Sequence, residues 1–146
     1  MAGVTLENPF DESFCAQINQ QLKVDQNISP VFGNSGIDDN QIDDIEECLG
    51  FQLPPDFRQF LSVLVDRDQL FFPWSSFSKA KFDTKMQWIL DGILFDIEHN
   101  STWLRRWGER PESLDEAFSV VSQDFKKWPK ILPIYEHRFL AAEPNL

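Results

Sequence analysis

Apolar residues that recur every three or four positions predict three helices in the first half of the chain. The first begins at Asn8, a good N-cap residue, with Pro9 at the first helical position. The second spans about 39–49 and ends at Gly50, which suits the left-handed residue after a helix end. The third begins near Pro55. Their inward positions are Phe10, Phe14, Ile18, Leu22, Ile42, Ile45, Leu49, Phe57, Phe60, Leu61 and Leu64.

The second half of the chain predicts two more helices and a strand. A helix over about 83–91 is expected to stop at Gly92, and residues 93–98 then alternate as a strand with one wetter face. The aromatic connector at 70–74 has no clear period, which predicts irregular structure or a short edge strand. A capping box at 113–116 begins the fifth helix.

Residues 128–140 form the stretch on which the rest of the predicted fold depends. They concentrate Ile, Leu, Tyr, Phe and Trp, the residue types that suit a pleated, half-buried surface. Pro129 and Pro133 must lie where no ladder hydrogen bond is required of them. Both faces of this stretch are largely apolar, so we predict a strand pair covered on both faces. A core role is the simplest interpretation.

Length and composition indicate one globular domain. The chain has 146 residues, of which 14% are aromatic, and this is enough for a sizeable core. Cys15 and Cys48 are too few for a disulfide scaffold and are predicted to be buried free thiols in a reducing compartment. No apolar run is long enough for a membrane span, and the N-terminus does not resemble a secretory signal. A cytoplasmic location is therefore predicted.

The net charge of −11 is concentrated in the first half of the chain. Residues 1–70 hold three Lys and Arg against thirteen Asp and Glu, a balance of −10. Residues 71–146 hold ten against eleven, a balance of −1. This distribution disfavours nucleic acid and anionic membranes as partners, because both would be repelled. It is compatible with a basic protein partner, although acidic surfaces also serve solubility.

The second predicted helix carries the densest acidic segment. A solvated helix face is the simpler explanation of this segment, since like charges four residues apart destabilise a helix by only a few tenths of a kcal/mol. The alternative is a docking surface whose internal repulsion is relieved by a cationic partner. The acidic residues are Asp38, Asp39, Asp43, Asp44, Glu46 and Glu47.

An enzymatic function would have to use a small set of candidate groups. Asp96 and Glu98, beside His99 at a predicted strand end, could perform acid–base chemistry or hold a metal ion. Adjacent carboxylates on a strand are more often its solvated face. His137, Cys15 and Cys48 lie far away in the sequence and match no zinc spacing. Phosphate-loop and nucleophile motifs are also missing, so we predict no catalytic residue, no metal and no cofactor.

The segment 103–111 combines two tryptophans with three arginines. A basic, base-stacking patch for nucleic acid is one interpretation of this mixture. Cation–π packing at the rim of a core explains the same residues, and the acidity of the chain favours this second interpretation.

Several of these segments together resemble the SUKH superfamily, which includes bacterial immunity proteins and the Smi/Knr fungal regulators of cell-wall assembly. The resemblance runs over about 38–144. Its opening is a helix–Leu-Pro–helix pattern, and its later part is similar to one bacterial branch of the superfamily. The residues that carry it are Ile42, Ile45, Glu46, Leu49, Gly50, Leu53-Pro54, Asp56-Phe57, Phe60-Leu61, Phe95-Asp96-Ile97, Trp103, Trp107-Gly108, Arg110-Pro111, and the stretch from Trp128-Pro129 through His137-Arg138-Phe139 with its Pro-Ile-Tyr-x-His-Arg run.

This resemblance implies an α+β fold in which helices pack against a curled, mostly antiparallel sheet, without catalytic residues. We expect a single SUKH-like domain over 1–146, with the N-terminal helices at about 8–66 and a sheet-forming part at about 70–144. Members of the bacterial branch usually continue into further strands. The sequence is therefore expected either to be shortened relative to that branch, or to leave the edge next to 133–140 open to another chain, to self-association or to aggregation.

The resulting hypothesis is a cytoplasmic immunity protein that binds and neutralises a basic toxin, for example a nuclease, through an acidic surface. A regulatory or scaffold protein that binds endogenous partners is the alternative, and a small hydrolase built on Asp96, Glu98 and a histidine is a third. The predicted partner-binding residues are Asp39, Asp43, Asp44, Glu46, Glu47, Asp96 and Glu98.

Overall fold

The computed structural model describes residues 8–26, 31–33, 36–65 and 71–142. These residues form an α+β fold, as predicted, with five helices and a two-stranded antiparallel sheet. The elements are α1 (Glu12–Gln26), α2 (Asp39–Leu49), α3 (Pro55–Val63), α4 (Lys79–His99), α5 (Leu114–Phe125), β1 (Ile131–Tyr135) and β2 (Arg138–Ala141), with short 3-10 helices at Trp74–Ser76 and Arg105–Trp107. None of the described helices is long and apolar enough to cross a membrane.

The chain divides into two compact units, one formed by residues 1–77 with 131–146 and the other by residues 78–130. The first unit contains α1, α2, α3 and the β1–β2 hairpin, and the second contains α4 and α5. The predicted domain boundaries, with helices at 8–66 and a sheet-forming part at 70–144, stay a prediction.

The first helix begins later than its sequence predicts. Asn8 accepts the N–H of Phe10 at 2.9 Å and so closes a turn before α1. The helix begins at Glu12, and Asp11 accepts the N–H of Phe14 at 2.8 Å, three residues on. An earlier helix is not needed to satisfy these N–H groups, because each already has a side-chain partner.

Asn19 attaches α1 to the segment that follows the loop. Its Oδ1 accepts the N–H groups of Val31 and Phe32 at 2.9 and 3.1 Å, and its Nδ2 donates to the carbonyl of Phe32 at 2.9 Å. Phe32 also pairs with Leu64 as an isolated antiparallel bridge, so this segment runs beside the end of α3.

An aromatic cluster forms the core of the first unit. Trp74 is 1% exposed and contacts Phe57, Phe72 and Phe77 at ring-centroid distances of 5.3, 5.0 and 5.7 Å. Its indole N–H donates to the carbonyl of Pro133 in β1 at 2.8 Å. The connector predicted as irregular or as a short edge strand therefore supplies the largest fully buried side chain among the described residues.

The predicted strand pair is confirmed as the β1–β2 hairpin, in which Leu132 pairs with Leu140 and Pro133 with Phe139. Coverage of both faces holds only for part of it. Leu132 and Pro133 are fully buried, whereas most of β2 is exposed and Leu140 is 36% exposed. The prediction failed there because apolar composition gives the side that each residue faces but not whether another element covers that side. Among the described residues, β2 pairs only with β1.

The prediction for the longest helix of the second unit is wrong. Helix α4 continues through Gly92, so 93–98 is helical and is not a strand. Glycine in a helix interior costs only about 1 kcal/mol relative to alanine, which burial on the same helix readily offsets. Ile97 is fully buried against Trp107 and Val121, and Ile93 and Leu94 pack against the same cluster. The alternation of 93–98 also fits a helix that buries positions three and four residues apart.

The fifth helix begins as predicted. Ser113 is the N-cap of α5, and its hydroxyl accepts the N–H of Glu116 at 3.4 Å. Ala117 and Val121 are buried on the inner face of α5.

Candidate protein-interaction surface on helix α2

The acidic helix is α2, and its first turn is fixed by a capping box. Asp38 accepts the N–H of Gln41 at 2.8 Å, and the Gln41 side chain accepts the N–H of Asp38 at 3.2 Å. Ile42 and Ile45 are buried on the inner face of the helix. The acidic positions between and beside them, with the exception of Glu46, therefore lie on the outer side, as predicted from helical spacing.

Arg58 divides this acidic surface into two sets. The Leu53-Pro54-Pro55 turn leads into α3, and the guanidinium of Arg58 lies 3.6 Å from Asp39, 3.0 Å from Asp43 and 2.9 Å from Glu46. Burial lowers the pKa of Arg58, but the hydrogen bonds that its guanidinium donates to Glu46 and Asp43 outweigh this effect and raise the pKa overall. The single positive charge of Arg58 is thus shared by three carboxylates.

The side chain of Glu46 is mostly buried and makes contacts within the fold. Its side chain is 15% exposed, and the same oxygen that pairs with Arg58 accepts the N–H of Leu53 at 2.9 Å. Glu46 therefore ties the last turns of α2 to the start of the Leu-Pro turn and to α3. This occupied position makes Glu46 the least available of the predicted partner-binding residues on α2.

Asp44 and Glu47 form the second set. They are three residues apart on α2 and both are exposed. Neither makes an ion pair or a side-chain hydrogen bond within the parts of the chain that the structure describes. Asp39 and Asp43 border this set and remain 89% and 64% exposed despite their contact with Arg58. The outer face of α2 therefore keeps a net negative charge after its internal pairing.

The other two predicted partner-binding residues lie at the end of α4. Asp96 accepts the side-chain amide of Asn100 at 2.7 Å, and Glu98 lies 3.6 Å from the imidazole of His99. Both are exposed helix residues, whereas a strand was predicted. They belong to the second unit, and the α2 acids belong to the first.

The groups proposed for catalysis are engaged elsewhere or dispersed. The ring of His99 packs against that of Phe95 in a tilted arrangement with ring centroids 4.4 Å apart, and His137 is exposed in the turn of the hairpin. Cys15 is buried, and burial, followed by the nearby charge of Asp11, raises the pKa of its thiol. Cys48 is exposed, so the prediction of two buried thiols is wrong for this residue. No group of three or more His, Cys, Asp or Glu residues among the described positions is arranged to hold a metal ion.

Two of the three arginines of 103–111 make the cation–π contacts that the core-rim interpretation predicts. The guanidinium of Arg106 lies 5.3 Å from the ring centroid of Trp128, and that of Arg110 lies 6.0 Å from Trp103. Arg110 also donates to the carbonyl of Ile97 at 2.9 Å.

Sequence reasoning missed two residues that organise these surfaces, Arg58 and Asp124. Arg58 is the only base between Lys23 and Arg67, a signal that the sequence does contain. Asp124 accepts N–H groups from Trp107, Trp128 and Arg106, and nothing in the spacing of these residues indicates that they meet.

Comparison with known protein families identifies one match. Residues 36–139, more than two-thirds of the chain, match the SMI1 / KNR4 family (SUKH-1). No curated protein and no solved structure matches the chain. The matched region begins before α2, contains the α2–Leu-Pro–α3 arrangement with its Arg58 cluster, and ends within β2. This chain therefore belongs to the SMI1 / KNR4 family, SUKH-1.

Proposed function

We propose that this protein is a cytoplasmic, non-enzymatic immunity protein that binds and neutralises a basic protein toxin. The family fits a protein of the immunity type or of the Smi1/Knr4 regulatory type. The observation that supports a basic partner is the exposed pair Asp44 and Glu47. Arg58 pairs with the other three carboxylates of this helix face, and no cation among the described residues forms an ion pair with Asp44 or Glu47.

The proposed contact follows from the division of the acidic surface. Asp44 and Glu47 supply charge that no described group of the chain neutralises, and Asp39 and Asp43 extend the negative field along the same helix. Such a field raises the association rate with a positively charged partner more than it raises the final affinity. Glu46 contributes by holding α2 against the Leu-Pro turn.

The test is the association rate of the protein with its captured partner as a function of salt concentration. The variant Asp44→Asn/Glu47→Gln removes two exposed negative charges from α2. Its matched control, Glu109→Gln/Glu112→Gln, removes two exposed negative charges from the second unit. We expect the α2 variant to slow association several-fold at low salt and the control to change it little. A rate that is indifferent to salt, or equally sensitive to both variants, contradicts steering by α2.

The second candidate function is a regulatory scaffold that binds endogenous partners, a type of protein with which the match to the SMI1 / KNR4 family is equally compatible. Expression of the captured partner alone and together with this protein distinguishes the two functions. A toxin arrests growth when it is expressed alone and is rescued by co-expression. An endogenous regulatory partner does not arrest growth.

A further inference from the structure

The outer face of α4 carries two large aromatic side chains that the fold leaves in solvent. Trp88 is 53% exposed and Phe95 is 58% exposed. They are seven residues apart and so lie on the same side of the helix, two turns from each other. The inner side of α4 already packs against its core through Leu90, Ile93, Leu94 and Ile97.

Neighbouring residues extend this face in both directions. The ammonium of Lys85 lies 4.3 Å from the ring centroid of Trp88, and the ring of His99 packs against that of Phe95. Between the two aromatic groups lies Gly92, which is exposed and would place a Cβ atom in open space. The face therefore alternates protruding side chains with a notch in the middle of the helix. We call this surface, made of Lys81, Lys85, Trp88, Gly92, Phe95 and His99, the outer seam of α4.

The spacing within the outer seam is that of a helix-pairing surface. Successive members are separated by four, three, four, three and four residues. This alternation is the spacing that lets side chains of one helix insert between those of another. The inner face of α4 supplies its own core contacts, so the outer seam is a second pairing surface on one helix.

The two halves of α4 carry opposite charge. Residues 79–89 hold three lysines against one aspartate, a balance of +2, and residues 90–99 hold three acids without lysine or arginine, a balance of −3. A second copy of α4 that runs antiparallel brings each basic half against an acidic half. The antiparallel arrangement also sets the positive end of each helix dipole beside the negative end of the other.

We propose that α4 is the interface of a symmetric homodimer, in which the outer seams of two copies pack antiparallel. In the register that centres the pair near residue 90, Trp88 of each copy fills the notch at Gly92 of the other. Lys85 of each copy then faces Phe95 of the other, where its ammonium can lie over the aromatic ring. The surface is complementary to itself in both size and charge, which a two-fold interface requires.

The same register places one unfavourable contact near the two-fold axis. Asp91 flanks the seam and, because the pairing is symmetric, lies close to Asp91 of the second copy. Its carboxylate accepts the amide of Gln87 at 2.8 Å within its own chain, which does not remove the charge. A neutral side chain at this position therefore strengthens the dimer, whereas an interface elsewhere on the molecule gives no reason for such a gain.

The experiment is sedimentation of the full chain over protein concentrations from about 1 to 500 µM, the range in which a small interface of one helix per partner dissociates. We expect a monomer–dimer equilibrium. Trp88→Ala removes the protruding side chain and is expected to raise the dissociation constant at least tenfold. Leu104→Ala, which shortens another exposed apolar side chain, is its matched control and is expected to leave the constant unchanged.

The variant Gly92→Leu distinguishes a specific weakening of this interface from a general loss of folding. A Cβ atom at this position has no neighbour within 4 Å, and leucine has a higher helix propensity than glycine, so we expect the variant to fold at least as well as the parent. It nevertheless closes the notch and is expected to weaken the dimer at least tenfold, while Asp91→Asn is expected to tighten it. A chain that stays monomeric throughout this range overturns the proposal. A dimer that survives both Trp88→Ala and Gly92→Leu also overturns it.

Discussion

The carboxylate of Asp124 accepts the indole N–H of Trp107 at 2.9 Å. The same oxygen accepts the indole N–H of Trp128 at 2.9 Å and pairs with Arg106 at 2.9 Å. One carboxylate at the end of α5 therefore holds the 3-10 helix at Arg105–Trp107 on one side and the chain that leaves the helix on the other.

Protonation of Asp124 is expected to destabilise the protein at low pH. The hydrogen bonds from Trp128 and Trp107, followed by the charge of Arg106, lower the pKa of Asp124 below its ordinary value of 3.8. Because the pKa of Asp124 is lower in the folded state, its ionised carboxylate contributes stability that is fully present above pH 3.8. This contribution is lost as the pH falls through the pKa of Asp124 in the folded protein. Urea unfolding of Asp124→Asn and the parent at several pH values measures the effect. The difference in unfolding free energy between the parent and the variant is expected to become smaller below pH 3.8. A difference that stays constant with pH contradicts the role assigned to Asp124.

Loss of Arg58 is expected to destabilise the α2–α3 arrangement by about 1–2 kcal/mol, because three carboxylates then lose their shared cation. Arg58→Met keeps most of the aliphatic stem and removes the charge. A double-mutant cycle with Glu46→Gln isolates the pair, since the amide side chain introduced there still offers an oxygen to the N–H of Leu53. A coupling free energy near zero would show that the Arg58–Glu46 contact contributes nothing to stability.

A side chain at Gly36 is expected to destabilise the first unit by about 2–4 kcal/mol, since a Cβ there overlaps the carbonyl of Ser62. The backbone cannot retreat freely, because the N–H of Ile37 donates to the carbonyl of Leu61 at 3.0 Å. Thermal unfolding of Gly36→Ala tests this expectation. Gly92→Ala is the matched control, and it is expected to stabilise α4 by about 1 kcal/mol. Equal effects of the two substitutions would contradict both assignments.

The hydrogen bond between Trp74 and Pro133 is expected to contribute about 1 kcal/mol to folding. Trp74→Phe removes the indole N–H and leaves the carbonyl of Pro133 without this donor, while most of the buried ring surface stays. Trp74→Ala also opens a cavity in the aromatic cluster and is expected to cost about 3–5 kcal/mol. Denaturant unfolding of the two variants separates the bond from the packing. Indistinguishable losses would show that the ring surface contributes little.

The sequence predicts those parts of the fold in which local signals agree with one another. Helix α2 has an acidic cap, a regular apolar stripe and Gly50 with a φ of 80° at its end, and its bounds are as predicted. The hairpin is also predicted, because its residue types and its two prolines suit the same strand pair. In both cases the decisive information lies within about a dozen consecutive residues.

The failures occur where a tertiary contact decides the outcome. The short alternation at 93–98 is consistent with both a strand and a helix, and burial of Ile97 against Trp107 and Val121 selects the helix. The acidity of α2 is visible in the sequence, but its division by Arg58 is not, because the arginine lies on another helix. The candidate surface was therefore predicted as a region, and the roles of Glu46, Asp44 and Glu47 within it required the structure.

The order of the two units along the chain has a consequence for synthesis on the ribosome. Residues 78–130 emerge as one continuous block, whereas the first unit needs the hairpin at 131–141, which is translated after that block. The indole of Trp74 gains its hydrogen-bond partner only after Pro133, 59 residues downstream, has been synthesised. The nascent N-terminal helices thus remain without their strand pair while residues 78–130 are being synthesised, and this interval is when a molecular chaperone would find the aromatic cluster uncovered.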